Sequence, residues 1–261
     1  MDDENGARGR GRQELGVLTS ISLVIPCYNE AALLPRLLAT VDAARRAYRG
    51  DSSAIEVVVS DNASTDGTAA IAAAAGCRVA FTATRCIAAA RNAGAAIARG
   101  SVLAFIDADS QIHPDTFNYI AGCMARPGIV GGTTGATMER WSVGIAAMYG
   151  TLLPIAWATG VDIGVVFCRR EDFDGMGGYD ESLRFAEDVK FLFGLRRIGS
   201  PRGARLVRRR RIAPVIASTR KFDEFGEWHF LWMMLKSPWY FLNRRAGDTF
   251  ADSYWYRPGR R

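Results

Sequence analysis

The strongest constraint in this chain is a repeating order: a short uninterrupted apolar run, a polar or acidic cluster, then a helical stretch. Ile21–Pro26 and Ile55–Ser60 are rich in β-branched residues, Val102–Ile106 is a third such run and Arg78–Phe81 a weaker one. Runs of this length without polar alternation are the pattern of strands buried on both faces. Between them Leu33, Leu34, Leu37, Leu38, Val41 and Tyr48 recur at helical spacing, and Pro35 marks where a regular helix begins. Thr65–Ala75 and Cys86–Arg99 are Ala-rich, and each ends at a glycine, Gly76 or Gly100, suited to a C-terminal cap. Such alternation builds an α/β fold, a mostly parallel sheet flanked by helices, with ligands beyond the carboxyl ends of the strands.

Composition bounds the remaining possibilities. Of the 261 residues, 49% are hydrophobic and 23% charged, which suits a packed globular chain and not a disordered one. The five cysteines are scattered without a C-x-x-C pair, which argues against a disulfide framework or zinc module and for a reducing compartment. Residues 1–19 are polar and Gly/Arg-rich, so they read as a mobile tail without a signal peptide, and a cytoplasmic location is expected. The net charge of +6 is local: residues 202–221 hold eight basic side chains and no acid. A patch of this kind points to an anionic partner without saying whether it is a diphosphate, a membrane surface or a nucleic acid.

The second half is less regular. Trp141–Val161 is a run of 21 residues without a charge, long enough to raise a membrane span. A single crossing would separate the first-half sheet from everything after it, so a buried or interfacial helix fits a shared site better. Ile163–Cys168 reads as a further buried strand and Glu187–Ile198 as a helix.

The chemistry collects at one sheet edge. The first strand is followed by Cys27-Tyr28-Asn29-Glu30, the second by Asp61-Asn62, and Val102–Ile106 by Asp107-Ala108-Asp109. Asp and Asn also make turns and helix caps at such places. Asp107 and Asp109, at i and i+2 on an extended strand end, would point the same way and repel unless a hard divalent cation lay between them and an anionic ligand. There is no G-x-G-x-x-G and no P-loop lysine, so dinucleotide and P-loop readings are poor.

Taken together, Val24-Ile25-Pro26-Cys27-Tyr28-Asn29-Glu30, Val59–Thr68, Ala89-Ala90-Arg91-Asn92-Ala93-Gly94, Phe105–Asp109, Gly177-Gly178-Tyr179-Asp180-Glu181 and Glu187-Asp188 resemble family 2 glycosyltransferases of the GT-A fold. The resemblance covers roughly residues 20–221 and leaves residues 222–261 as a helical C-terminal extension. It implies an inverting transfer of one sugar from a nucleotide diphosphate sugar, expected to be a UDP-sugar, to an acceptor hydroxyl. It implies that Pro26, Tyr28 and Glu30 border the nucleoside, that Asp61 accepts from the base, and that Arg91 reaches the nucleotide side. Asp109 would be the main ligand of Mn²⁺ or Mg²⁺, with Asp107 near the ribose and metal. Asp188 would be the general base, and Glu187 would orient it or bind the acceptor. Without the family context, Glu187 and Asp188 would read as acids complementing a helix dipole.

Four further positions carry alternatives. Gly177 and Gly178 let backbone approach the donor sugar or acceptor, or simply make a turn. Arg220 and Lys221 would close over the diphosphate, or are plain surface charges. His229 would be a third metal ligand, or a buried or interfacial histidine, and His113 reads as a surface or capping residue. Trp228–Arg245, aromatic and apolar and then basic, resembles an interfacial membrane helix, with core packing or a subunit interface as the alternative. With Arg208–Arg211 it motivates peripheral contact with the inner membrane face and a lipid-linked or cell-envelope acceptor. A Q-x-x-R-W motif is absent, so a processive synthase is not expected. The competing functions are a sugar-1-phosphate nucleotidyltransferase, which would carry a Gly-rich basic loop after the first strand, and a non-catalytic nucleotide-sugar binding protein. No nucleic-acid partner is expected.

Overall fold

A computed structural model describes residues 19–159, 161–184, 186–207 and 212–234. The expected N-terminal tail up to residue 18, the run Arg208–Arg211 and everything after residue 234 lie outside the described residues.

The first apolar run is β1 (Ile21–Cys27), buried along its whole length. It pairs in parallel with β2 (Ile55–Asp61) on one side and β4 (Val102–Phe105) on the other. β3 (Arg78–Phe81) adds a parallel edge strand to β2. Beyond β4 the sheet continues through β7 (Val166–Arg169), β5 (Ile129–Thr133) and β8 (Arg205–Leu206), giving the order β3-β2-β1-β4-β7-β5-β8. Only β7 runs against its neighbours. A second, two-stranded parallel sheet joins β6 (Ala136–Met138) to β9 (Val215–Ala217). The mostly parallel α/β sheet read from the sequence is the sheet found.

Two cores explain why the strands are apolar on both faces. Ile21, Leu23 and Ile25 point into one cluster with the buried stripe Leu34, Leu37, Leu38, Val41 and Ala44 of α1 (Leu34–Ala47), and α4 (Thr116–Met124) closes the same face. Val24, Val58, Leu103 and Phe105 point into the other, beneath α3 (Ile87–Ile97), α6 (Arg170–Met176) and α7 (Glu187–Gly199). α2 (Thr68–Ala74) ends near Gly76, which has a φ of 75° and serves as the expected left-handed terminator. Gly100 does not. Helix α3 ends at Ile97, and Gly100 is required by packing instead, since a Cβ there would lie 2.6 Å from the Ser22 backbone nitrogen.

The uncharged run becomes α5 (Val143–Thr159), with Pro154 inside it. Among the described residues no helix is long and apolar enough to cross a membrane. One side of α5 packs Ile145, Met148 and Tyr149 against Met138 and against Phe222 of α8 (Arg220–Phe225), with Phe230 and Leu231 alongside. Trp157 is 84% exposed, so the helix is half-buried.

Candidate functional site

The loops after β1 and β2 hold one another. Asn29 adopts a left-handed φ of 53°; its backbone N–H donates to Ser64 Oγ at 3.1 Å, and its side-chain oxygen accepts from the Thr65 N–H at 2.8 Å. The Glu30 N–H donates to Thr68 Oγ1 at 3.0 Å. Asp61, buried, accepts from the Ser64 N–H at 3.2 Å. Pro26 sits opposite Ser60 in the β1–β2 register, so Pro26, Tyr28, Glu30 and Asp61 share one edge. The Arg85 guanidinium lies 4.3 Å over the Tyr28 ring, a cation–π contact on that edge that no sequence motif announced.

Asp107 and Asp109 do not lie on an extended strand end. β4 stops at Phe105, and the Ser110 N–H donates to the Asp107 carbonyl at 3.1 Å, closing a turn with Ala108 and Asp109 at its centre. A turn breaks the two-residue alternation, so the carboxyls take different partners. Asp107 Oδ1 accepts from Arg91 Nη2 at 3.0 Å, and Asp109 Oδ2 lies 3.4 Å from Arg220 Nη2. Arg220, the first residue of α8, is also forked onto Glu30, with Nη2–Oε1 at 3.0 Å and Nη1–Oε2 at 3.2 Å. Burial opposes the Arg220 charge, but Glu30 and Asp109 outweigh it and raise its pKa. Arg220 thus meets the strand-end acids, whereas Lys221 lies against the Phe225 ring. His229 bonds the Gly226 carbonyl and packs among Phe222, Phe225 and Phe230. His113 Nδ1 accepts from the Asp115 N–H at 3.1 Å, the capping position expected.

Arg91 is the hub of the other half. It is almost fully buried on α3, and besides Asp107 it meets Glu187 Oε1 at 2.6 Å and Asp188 Oδ1 at 3.0 Å. Burial works against its charge, and Asp188, Tyr179, Asp107 and Glu187 together raise its pKa well above the ordinary value. Its guanidinium also lies 5.1 Å from the centre of the Tyr179 ring, which stacks on Phe191 at 4.2 Å.

Asp188 is the second residue of α7, which begins at Glu187 directly after Ala186, an alanine held at a φ of 58°. Its Oδ1 is shut away from solvent against Arg91, while the side chain as a whole is 36% exposed and borders a cavity. Burial of the inward oxygen is the main cause that pushes its pKa from 3.8 up to about 7. Arg91 pulls it down; Glu187 and Asp107 push it further up, and the nearby Tyr179 hydroxyl lowers it.

Asn92, beside Arg91, does what the sequence left unassigned. Its oxygen accepts the Tyr179 N–H at 2.8 Å, and its nitrogen donates to the Tyr179 carbonyl at 2.9 Å and to Glu181 at 2.8 Å. The adjoining Gly178 has a φ of 77°, and a Cβ there would lie 2.6 Å from Asn92 Oδ1. Gly177, φ 75°, ends α6 in open space. The Arg-Asn pair was the available signal: successive residues in the middle of α3, one charged and one amide, bonded to two segments of the second half.

The cavity measures about 280 Å³ and is lined by Arg91, Asp107 and Asp188 together with apolar residues of α5 and α7. Asp109 is not among its lining residues. Among the described residues no three His, Cys, Asp or Glu side chains gather as a metal cage. One or two carboxylates nevertheless suffice for Mg²⁺ or Mn²⁺ when substrate phosphates supply the other oxygens. Asp109 and Asp107, at 24% and 54% side-chain exposure, are hard oxygen donors still open to such a ligand.

The family described as glycosyl transferase family 2 matches residues 22–148. Among curated proteins none matches. Among solved structures, the mannosyltransferase PcManGT from Pyrobaculum calidifontis, in complex with GDP-Man and Mn²⁺, is 23% identical, with a TM-score of 0.59 over 74% of this chain and 55% of that one. Glucosyl-3-phosphoglycerate synthase from Mycobacterium tuberculosis, in complex with Mn²⁺, UDP and glucosyl-3-phosphoglycerate, is 22% identical, with a TM-score of 0.54 over 87% and 85%. S. aureus TarS 1-349 in complex with UDP-GlcNAc is 18% identical, with a TM-score of 0.57 over 77% and 59%. The chain spans little more than half the length of the first of these, and identities this low speak for a shared fold. The strand order gives the chain the GT-A fold of these structures, and over residues 22–148 it is similar to glycosyl transferase family 2.

Proposed function

We propose that this chain transfers one glycosyl group from a nucleoside diphosphate sugar, a UDP-sugar by preference, to an acceptor hydroxyl with inversion at the anomeric carbon. The observation that carries this reading is Arg91. It ties the turn after β4 to the first turn of α7 and so holds Asp188 at the rim of a cavity that also borders Asp107. Inversion needs a proton acceptor on the face of the sugar opposite the departing diphosphate. A carboxyl with a pKa raised to about 7 is poised for that task near neutral pH.

Ionised Asp188 takes the acceptor proton as the acceptor oxygen bonds to the anomeric carbon. The electron pair of the old C–O bond leaves with the nucleoside diphosphate. Arg91 orients the carboxylate, and Glu187 shares that guanidinium. Tyr28 and Pro26 border the base, Asp61 accepts a hydrogen bond from it, and Glu30 and Asp107 serve the ribose side. Arg220, already among Glu30 and Asp109, meets the diphosphate. A divalent cation, Mn²⁺ or Mg²⁺, would be held by Asp109 with Asp107 and would neutralise charge growing on the leaving group. The presence of GDP-Man, UDP-GlcNAc, UDP and Mn²⁺ in the similar structures supports this assignment.

Labelled nucleoside diphosphate sugars, offered with Mn²⁺ and a mixed acceptor pool, test it. Transfer is expected, with loss on adding EDTA. Asp188→Asn should lower kcat by about 10²–10⁴-fold, the range of a positioned acid–base group, and leave UDP binding in place. Near-normal turnover in that variant would remove Asp188 as the base, and a product of retained anomeric configuration would remove inversion.

A further inference from the structure

The cavity beside Asp188 has walls unlike those of the nucleotide side. Arg91, Asp107 and Asp188 line it together with Leu152, Leu153 and Ala156 of α5 and Val189 and Phe193 of α7, and Tyr149, Thr159 and Asp162 add the remaining polar side chains. Val189 and Phe193, with Ile163 beside them, are each more than two-fifths exposed, so these apolar surfaces are open to solvent along the cavity. Tyr28, Glu30, Asp61 and Asp109 are not among the lining residues, so an occupant beside Asp188 would meet the nucleotide side only through Arg91 and Asp107.

Resting on the glycosyl-transfer reading, we infer that the acceptor is an alcohol on an apolar skeleton. Its hydroxyl meets Asp188 and its hydrocarbon lies between α5 and α7. A sugar or polyol acceptor carries a hydroxyl on nearly every carbon, and most of these would leave water for the Leu, Ala, Val and Phe side chains that make up most of the wall and return no hydrogen bond. A hydrocarbon loses nothing there and removes the exposed apolar faces from water. Most of the lining is apolar, and Arg91 holds Asp107 and Asp188 together within it, Tyr149, Thr159 and Asp162 being the other residues there with polar side chains. That is the distribution expected of a site built for a single oriented polar atom on an apolar body. The same chemistry describes a free apolar alcohol and a lipid alcohol held in a bilayer.

The test uses the full chain with Mn²⁺ and its donor, and compares glycerol and glucose with 1-butanol, 1-hexanol and 1-octanol. Saturation-transfer NMR of octanol and of glycerol supplies a readout independent of turnover. The inference expects kcat/KM to rise about fourfold per added methylene, the equivalent of ~0.8 kcal/mol per buried CH₂, with glycerol and glucose poor. Leu153→Asn should flatten that rise. Equal or better use of glucose, a flat series, a rise that Leu153→Asn leaves unchanged, or no octanol saturation would overturn the inference. Octanol saturation without transfer from any donor would instead overturn the glycosyltransferase reading and leave an apolar-alcohol site. A long-chain alcohol in phosphatidylcholine vesicles used better than free octanol assigns the bilayer source, and the reverse order assigns a free alcohol.

Discussion

Replacing Arg91 by methionine removes the one cation shared by three carboxyls, and its effect follows from how deeply each is buried. Asp107 is 54% exposed and returns to water at little cost. Asp188 is 36% exposed and partly rehydrates through the cavity. Glu187, 10% exposed and 2.6 Å from the guanidinium, is the charge left stranded. Breaking one buried pair by removing one partner costs about 3–5 kcal/mol, a large share of the ~5–15 kcal/mol that holds a domain folded. At about 2–4 °C per kcal/mol for a domain of this size, the melting temperature should fall by roughly 6–20 °C. Activity should change in a second, separable way. Arg91 is the chief influence lowering the Asp188 pKa, so without it the carboxyl stays protonated to higher pH. The wild-type rate is expected to rise with pH through about 7, and the variant's acid limb should move alkaline. Thermal melts and a pH–rate profile of the two proteins measure both effects. A variant with an unchanged melting temperature and an unmoved limb would refute the assignment of Arg91 as the buried hub.

Asp188→Asn carries a stability prediction opposite in sign to its effect on turnover. A carboxyl whose folded pKa is raised from 3.8 to about 7 contributes stability that is present at low pH and lost as pH rises between those values, so the Asn variant should gain on wild type in urea denaturation at pH 8 and lose that gain near pH 4. Gly178→Ala, with a φ of 77° and a Cβ 2.6 Å from Asn92 Oδ1, should destabilise more than Gly177→Ala, which meets only the ~1–2 kcal/mol left-handed backbone penalty; equal melting shifts would refute the clamp. Asn92→Ala strands the Tyr179 backbone groups and should cost about 1–3 kcal/mol in chemical denaturation. Arg220→Gln should raise the donor KM at least about tenfold, the loss of a charge-assisted hydrogen bond, while leaving the acceptor KM within about twofold; an unchanged donor KM would detach Arg220 from the diphosphate.

The fold was legible because its signal is local. β1, β2 and β4 are short β-branched runs buried on both faces, and α1 shows its stripe through Leu34, Leu37, Leu38 and Val41. Where the reading failed, the deciding contact, distant in one case and local in the other, left no motif in the sequence. Gly100 looks like a helix terminator from its neighbours alone, yet its constraint is Ser22, far along the chain. Asp107 and Asp109 read as parallel carboxyls only while the strand is taken to continue, and the Ser110-to-Asp107 hydrogen bond that ends it has no motif of its own.

The same distinction separates the two halves of the cleft. At the ends of β1, β2 and β4 the groups follow directly on the strands, so spacing in the sequence is nearly spacing in space; position alone gathered Tyr28, Glu30, Asp61 and Asp109 at one sheet edge, and only the family resemblance gave them nucleotide and metal roles. On the Asp188 side the cavity is made by α5 against α7, two helices whose apolar residues carry no chemistry to mark them. An uncharged stretch such as Trp141–Val161 has the same composition whether it meets lipid, protein core or a substrate. What decides is the opposite wall. Met138 and Phe222 pack against one side of α5, whereas Val189 and Phe193 of α7 remain substantially exposed beside a cavity that ends at a carboxyl. Buried apolar faces need no further explanation, whereas on the proposed reading the apolar faces left open beside Asp188 would suit an occupant whose own surface is apolar. If the acceptor is the apolar alcohol inferred above, its selection would rest on α5, a helix that carries no functional motif.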